Sequence, residues 1–425
     1  MSDIKAQYDC VVIGGGPAGT TAAALIAEVG FRTLLVEREV FPRPHVGESL
    51  MPETYWVFQR LGVLDQLRKS SYSKKVGVQF VNHTGKESAP FFFWSHDKRE
   101  CSQTWHVDRA EFDKMLFDNA AAQGATCCDG TRVVDVIFQD GRATGVKLRS
   151  SNDESRVIAA QVVIDATGQQ ALIASKLGLR RVNPDLRKAA IWGHFRGGYR
   201  DEEGGGVKTV IMHTAEKKSW FWYIPQSNDV VSVGVVGDRD YLLQGRGAPA
   251  EAFAEELDHC ATLKSWLARS ESIDSLQVAK EFSYTTDRAA GDGWVLTGDA
   301  WGFIDPIYST GVYFALKSAE LAADCVVDAL RSGDLSAAVL GAWIPDFTRQ
   351  TGRLRTLVSA FYSGEFRVGK FIEQYPEHRK ELVDLLIGRV FDGCQGRIFD
   401  DLQPWLEAMA EGARAAPEGG TEHGD

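Results

Sequence analysis

Glycines recur at Gly14, Gly16 and Gly19 in the run G-G-G-P-A-G, and Glu37 follows 23 positions after the first of them. This spacing suits a dinucleotide cradle. Gly14 permits the tight turn, Gly16 lets the backbone approach a pyrophosphate, and Gly19 allows close helix packing. Pro17 and Ala18 fall where a helix begins, so that its first N–H groups face the diphosphate. Glu37 stands where a carboxylate accepts from both ribose hydroxyls, and its charge disfavours a nucleotide carrying a 2′-phosphate. Asp299, in G-W-V-L-T-G-D-A, is able to accept from a polyol hydroxyl, although a helix cap explains that residue alone. Thr310 and Gly311, just before an apolar run, offer successive N–H groups to an anion; the same orphan amides also start a helix, and the two uses are compatible.

The elements that must position these residues are legible from the apolar pattern. Tyr8–Ile13 reads as a buried strand, Ala22–Val29 as a packed helix, and F-R-T-L-L-V-E as the next strand, ending at Glu37. V-V-I-D-A-T-G, residues 162–168, and G-W-V-L-T-G-D-A, residues 293–300, read as further strands running into glycine turns. W-F-W-Y-I-P, Trp220 to Pro225, reads as a strand whose aromatics alternate between two faces. After Thr310 a helical face recurs through Leu316, Ala319, Ala322 and Val326, and R-S-G-D at 331–334 breaks it. Leu354–Phe361 and Leu382–Val390 carry further helical periodicity.

Composition excludes some partners. Lys and Arg number 47 against 58 Asp and Glu, a net charge of −11 that argues against nucleic acid. The seven cysteines lack zinc-like spacing, Cys127 and Cys128 being adjacent, and the nine histidines show no H-E-x-x-H pattern, so no metal is expected. No apolar run approaches membrane-spanning length and no basic leader precedes the first strand. The expectation is a cytoplasmic protein.

Four segments carry a narrower resemblance. They are R-P-H-V-G-E-S-L-M-P at Arg43–Pro52, S-K-K-V-G-V-Q-F at Ser73–Phe80, W-x-W-x-I-P at Trp220–Pro225, and G-F-I-D-P-I-Y-S-T-G-V at Gly302–Val312. Together the chain resembles the flavin-dependent halogenases of the FAD-dependent monooxygenase superfamily. The resemblance is to the branch acting on phenols and pyrroles, some members of which take carrier-protein-bound substrates. It implies an α/β protein: a GR2-type Rossmann-like FAD-binding fold with a substrate-side β-sheet and a helical C-terminal subdomain. It also implies FAD used as FADH2, oxygen, and chloride or bromide. A separate flavin reductase is the expected partner, because no second dinucleotide cradle is evident. The substrate is expected to be an aromatic small molecule or one tethered to an acyl carrier protein.

In the resembling enzymes, hypohalous acid formed at the flavin travels through an internal tunnel to a lysine followed five positions later by Phe. Lys75 with Phe80 matches that register, and Lys74 is one residue out. An ammonium there donates a hydrogen bond and polarises the acid, whereas a neutral amine forms a haloamine; both routes stand open. The resemblance places Trp220 and Trp222 on the tunnel wall; Trp94, of F-F-F-W, is read from its aromatic surroundings as a substrate-side residue, with core packing as the alternative. Arg43, Gly47 and Glu48 match the flavin-approaching segment. Arg109, at the start of D-R-A-E-F-D, matches the flavin region, with a helix-end salt bridge as the alternative. Thr310 and Gly311 match the halide segment. Tyr308 stands where tryptophan-acting relatives carry glutamate, which weakens free tryptophan as a substrate.

The expected organisation is an FAD-binding module over residues 1–330, with substrate-side sheet segments interleaved at about 76–106 and 188–285. A helical C-terminal subdomain is expected over 331–410, and a disordered tail rich in Gly, Glu and Ala over 411–425. Arg353, Arg355 and Arg367 are candidates for a basic landing patch for a carrier. Two other functions fit the scaffold: an aromatic hydroxylase, and a flavin-binding carrier partner without turnover.

Overall fold

The computed structural model describes residues 4–150, 154–280, 282–362, 368–391 and 397–415. The chain divides into two units, Met1–Ile344 and Pro345–Asp425.

The first unit is built on two sheets. In the nucleotide sheet, Gln7–Ile13 pairs in parallel with Thr33–Val36 on one side and Ser155–Asp165 on the other. Trp294–Leu296 extends the parallel order beyond Ser155–Asp165, and Thr126–Cys128 extends it beyond Thr33–Val36. Cys10, Val11 and Val12 are wholly buried, as a strand covered on both faces requires. The chain leaves Gln7–Ile13 toward a near neighbour in sequence on one side and a distant one on the other. The carboxyl end of that strand is therefore a switch point, where open α/β sheets bind ligands. Helix Pro17–Glu28 starts there and packs against the long helix Thr310–Ser332. The long helix stops at Ser332 because Gly333 turns left-handed at φ 78°.

The second sheet holds Lys188–Arg196, Val230–Asp238, Ser219–Pro225, Val207–His213 and Ser73–Val81 in that spatial order. Thr104–His106 pairs with Ser73–Lys75 at its margin. Its two faces differ in kind. Phe221, Tyr223, Val231, Val233 and Val235 form one core with Leu242, Phe253 and Leu263, which come from the helices Arg239–Leu243, Pro249–Asp258 and Ala261–Trp266. Residues 188–285, expected as sheet segments, therefore also supply that sheet's helical cover. Alternation along the strand turns Trp220 and Trp222 to the opposite face. The F-F-F-W run is strand only at Phe91–Phe92, and Phe93–His96 closes into one helical turn.

The second unit is helical, with Ile344–Tyr362, Val368–Gln374, Arg379–Ile387 and Ile398–Ala415. Phe347 stacks on Phe391 at 5.3 Å, and Phe371 meets Trp405 edge-on at 5.6 Å. The expected boundary at 331 falls at the end of the long helix, while the division of units comes at Ile344. The last helix runs through Ala415, so residues 411–415, expected within a disordered tail, are helical. The remainder of that tail, 416–425, and Arg367 lie outside the described residues.

Candidate active site

The glycines divide by what lies beside them. A carbon added to Gly14 would sit 2.3 Å from the Ala166 carbonyl oxygen, and one added to Gly19 would sit 1.8 Å from that of Gly14. Both therefore serve internal packing, and Gly14 also holds φ 103°. At Gly16 an added carbon would meet only the Arg43 guanidinium, at 3.7 Å. The space there is what a pyrophosphate needs. No side chain caps the helix that follows and no acid occupies its first turn, so its leading N–H groups are available to an anion. Glu37 is buried, and its two oxygens accept from the backbone N–H groups of Gly15 and Glu39, at 2.7 and 2.9 Å. These contacts orient it, and each oxygen keeps a lone pair for ribose.

Around the cradle lies a buried charge network. Asp108 caps helix Arg109–Ala122 by accepting from the Ala110 N–H at 2.8 Å. The Arg109 guanidinium grips Asp113 one turn on, at 2.8 and 2.9 Å, and donates to the Val46 carbonyl at 2.6 Å. Arg43 donates to the same Asp113 at 2.8 Å. Burial alone would raise the Asp113 carboxyl, but Arg109 and Arg43 hold it below its ordinary range. Arg109 thus makes the salt bridge weighed for it, and its charge also acts on Asp299, whose carboxyl burial raises to about 7.

The segment Glu48–Leu50 joins this region to the second sheet. It runs beside Thr104–His106, with Val107 N–H donating to the Glu48 carbonyl at 2.8 Å and Leu50 N–H to the Trp105 carbonyl at 3.2 Å. Glu48, 2% exposed, accepts from His194 Nε2 at 3.0 Å, while Asp274 lies 2.6 Å from His194 Nδ1. Burial alone would depress the imidazole, yet the two carboxylates raise it to about 9. His194 shares a face of its strand with Trp192, and the Trp192 ring lies 6.4 Å from that of Trp222. The tryptophan face is therefore the one on which Glu48 sits.

On that same side lies Lys75. It is 2% exposed, whereas Lys74 is at the surface. The Lys75 Nζ donates to the Leu50 carbonyl at 2.9 Å and stands 5.6 Å from the centre of the Phe93 ring. Burial brings its ammonium down to about 7. Trp220 and Trp222 are 3% and 6% exposed, and Trp222 Nε1 donates to Ser232 at 3.2 Å. A carbon at Gly234 would fall 2.2 Å from the Trp222 ring, so glycine makes the room the indole fills. Trp94 stands at the surface under Lys98, stacked on Phe92 at 5.9 Å. Phe93, one residue earlier, is the aromatic beside Lys75; a helical turn in place of a strand exchanged their directions. Phe80 is half-buried opposite Ile211. Thr310 begins the long helix, 3% exposed, and a carbon at Gly311 would crowd the Phe303 ring at 3.1 Å.

His106 and Thr209 lie in no motif and Ser49 only inside R-P-H-V-G-E-S-L-M-P, yet all three are buried, with the Lys75 charge acting on His106 and Ser309 bonded to Ser49. His106 accepts or donates at both ring nitrogens, to the Pro225 carbonyl and to Thr209, each at 2.8 Å. The only sequence signal for them was position, Ser49 within the flavin-approaching segment and Pro225 closing W-x-W-x-I-P.

Residues 7–331 match the model of the FAD binding domain family. The chain is 30% identical over 433 residues to the 1H-pyrrole-2-carbonyl-(peptidyl-carrier protein) chlorinase of Pseudomonas fluorescens, covering 95% of this chain and 94% of that one. It is also 30% identical over 400 residues to the corresponding brominase of Pseudoalteromonas luteoviolacea, covering 93% and 95%. The solved structure of the flavin-dependent brominase Bmp2 superposes with a TM-score of 0.84 at 28% identity, over 96% of this chain and 99% of that one. The chain belongs to the flavin-dependent halogenases. It is an FAD-dependent enzyme that uses halide, and the cradle at Gly16 fits the group. Among the described residues no helix is long and apolar enough to cross a membrane.

Proposed function

We propose that this enzyme halogenates an electron-rich, pyrrole-like acyl group delivered on a carrier protein, with Lys75 as the catalytic residue. The observation that carries the reading is a lysine only 2% exposed whose ammonium is held to the Leu50 carbonyl. Burying a lysine without a counter-charge is costly, and such perturbed groups cluster at functional sites. Reduced FAD and oxygen, the flavin being supplied by a separate reductase, furnish the oxidising equivalents that turn halide into hypohalous acid.

Gly16 and the helix start at Pro17 and Ala18 hold the diphosphate in the turn that Gly14 and Gly19 pack, Glu37 holds the ribose and Asp299 the ribityl chain, with Arg43, Glu48 and Arg109 shaping the flavin's surroundings. Thr310 and Gly311 hold halide through their backbone N–H groups. Trp220 and Trp222 wall the passage and keep water from the oxidant. At its far end, Lys75 keeps two N–H bonds beyond the one to Leu50, and these bind the oxygen of hypohalous acid. As the carbon–halogen bond forms, the halogen–oxygen bond breaks and its electron pair stays on oxygen. That oxygen takes a proton from Lys75 and leaves as water, and the ring proton restores the ammonium. An ammonium near pH 7 suits proton transfer in both directions. Tyr308, where a carboxylate would steady a ring cation, fits a substrate that needs no such help. The pyrrole-carrier relatives support the tethered substrate.

Mass spectrometry after turnover with a flavin reductase, oxygen and bromide, offering pyrrolyl- and tyrosyl-loaded carriers beside free phenols and pyrroles, tests the substrate class. A bromine isotope pair on the pyrrolyl carrier is expected. Bromination confined to free arenes rejects tethering, and halide-independent oxygen insertion rejects the reading as a whole.

A further inference from the structure

Ser309 occupies the N-cap position of the long helix, where a serine hydroxyl ordinarily accepts from the N–H two or three residues on. Here it makes no such bond. Its hydroxyl instead donates to Ser49 Oγ at 3.2 Å, and its backbone is held left-handed at φ 57° with its N–H on the Pro306 carbonyl.

Two things hold it there: the left-handed backbone, which departs from the extended geometry of a capping serine, and a buried hydrogen-bond chain with one direction that aims the hydroxyl at Ser49. A proline carbonyl only accepts, so His106 Nδ1 carries a proton toward Pro225 at 2.8 Å. Burial and the nearby Lys75 charge keep the ring neutral, its ordinary value falling to about 3, so Nε2 is bare. Thr209 must then donate to Nε2, Ser49 to Thr209, each at 2.8 Å, and Ser309 to Ser49. Every hydroxyl in the row is committed as a donor toward His106.

We infer that His106, Thr209 and Ser49 are positioning residues that hold the Ser309 hydroxyl off the start of the long helix, leaving the Gly311 N–H to halide. The inference rests on the halide reading above. It also gives the closing proline of W-x-W-x-I-P a task beyond the tunnel wall: its carbonyl sets the direction of the row.

The test is a bromide titration of the FAD-loaded protein by tryptophan fluorescence, beside the steady-state bromide KM and kcat. Removing Ser49 releases the Ser309 hydroxyl and lets its left-handed backbone relax to the extended geometry in which the hydroxyl accepts from the Gly311 N–H. Ser49→Ala should weaken bromide binding about tenfold, the size of an N-cap interaction, and raise KM more than it lowers kcat. Thr209→Val, nearly isosteric, should weaken binding in the same direction. Ser49→Ala combined with Ser309→Ala, which removes the competitor, should return affinity to within about twofold of native. A merely structural defect would not be rescued by a second deletion. Unchanged affinity in both single variants, or a double variant as weak as Ser49→Ala, overturns the inference. The same binding pattern with no brominated product would reject the halogenation reading alone, and brominated product with flat binding would reject this one alone.

Discussion

The Lys75 Nζ donates to the Leu50 carbonyl, 2.9 Å away, across the strand Thr104–His106 that runs between their own segments. Leu50 belongs to the segment whose other end, Glu48, bonds His194 and acts on the Arg109 charge, so one short extended run ties the buried charge network to Lys75.

The first consequence is a pH dependence. Burial brings the Lys75 ammonium from its ordinary 10.5 to about 7, and in the proposed mechanism the ammonium is the form that protonates the departing oxygen. The rate of the halogenation step should therefore fall as pH rises through about 7. Single-turnover rates with pre-reduced flavin between pH 6 and 9 check this, and a rate that rises over that range assigns the chemistry to the free amine.

A second concerns stability. The His194 imidazole rises from 6.5 to about 9 beside Glu48 and Asp274, so its contribution is complete below pH 6.5 and is lost as pH climbs through 9. Lys75, depressed on folding, pulls the other way over an overlapping window, so the quantity to read is the difference between native and His194→Gln. That difference should be about 3 kcal/mol at pH 6, where Glu48 is left buried and unpaired, and should shrink by pH 10. Denaturant unfolding at the two pH values measures it.

The glycine run was legible because its spacing is local. Gly14, Gly16 and Gly19 lie within six residues, and the strand, turn and helix they join follow one another directly. Lys75 was separable from Lys74 by register alone. The rest of the site depends on strands distant in sequence. Ser49, His106, Thr209 and Ser309 are ordinary residue types that meet only when the second sheet folds over the first. The partnership of Glu48 with His194 spans 146 residues and had no local signal. F-F-F-W has strand-like composition, but the chain turns helical at Phe93, which brings the Phe93 ring beside Lys75 and leaves Trp94 at the surface. Burial, not residue size, decided which aromatic faces the lysine.

The two kinds of glycine separate by experiment. Gly16→Ala should leave thermal stability nearly native while weakening FAD binding at least ~10-fold, because only a bound pyrophosphate contests its methyl group. Gly19→Ala should cost about 3 kcal/mol of stability, its methyl group lying against the Gly14 carbonyl. Calorimetry of the flavin-free proteins with flavin titrations distinguishes the two.

Gly234 tests the tryptophan face. An alanine there meets the Trp222 ring and forces it off Ser232, so Gly234→Ala should cost about 2 kcal/mol. It should also let oxidant escape, read as a larger share of halogenated soluble trap relative to substrate product. A variant with native stability and native partition would remove Trp222 from the passage wall.

The central claim is that Lys75 delivers halogen to substrate and takes no part in oxidising halide. The measurement is mass spectrometry of substrate beside a soluble hypobromite trap, for native enzyme and Lys75→Ala, with equal flavin loading. Native enzyme should brominate the substrate. Lys75→Ala should lose that product by about 10³-fold, within the range for a lost acid–base group, while the trap is still brominated. Substrate bromination by Lys75→Ala within tenfold of native would contradict the account.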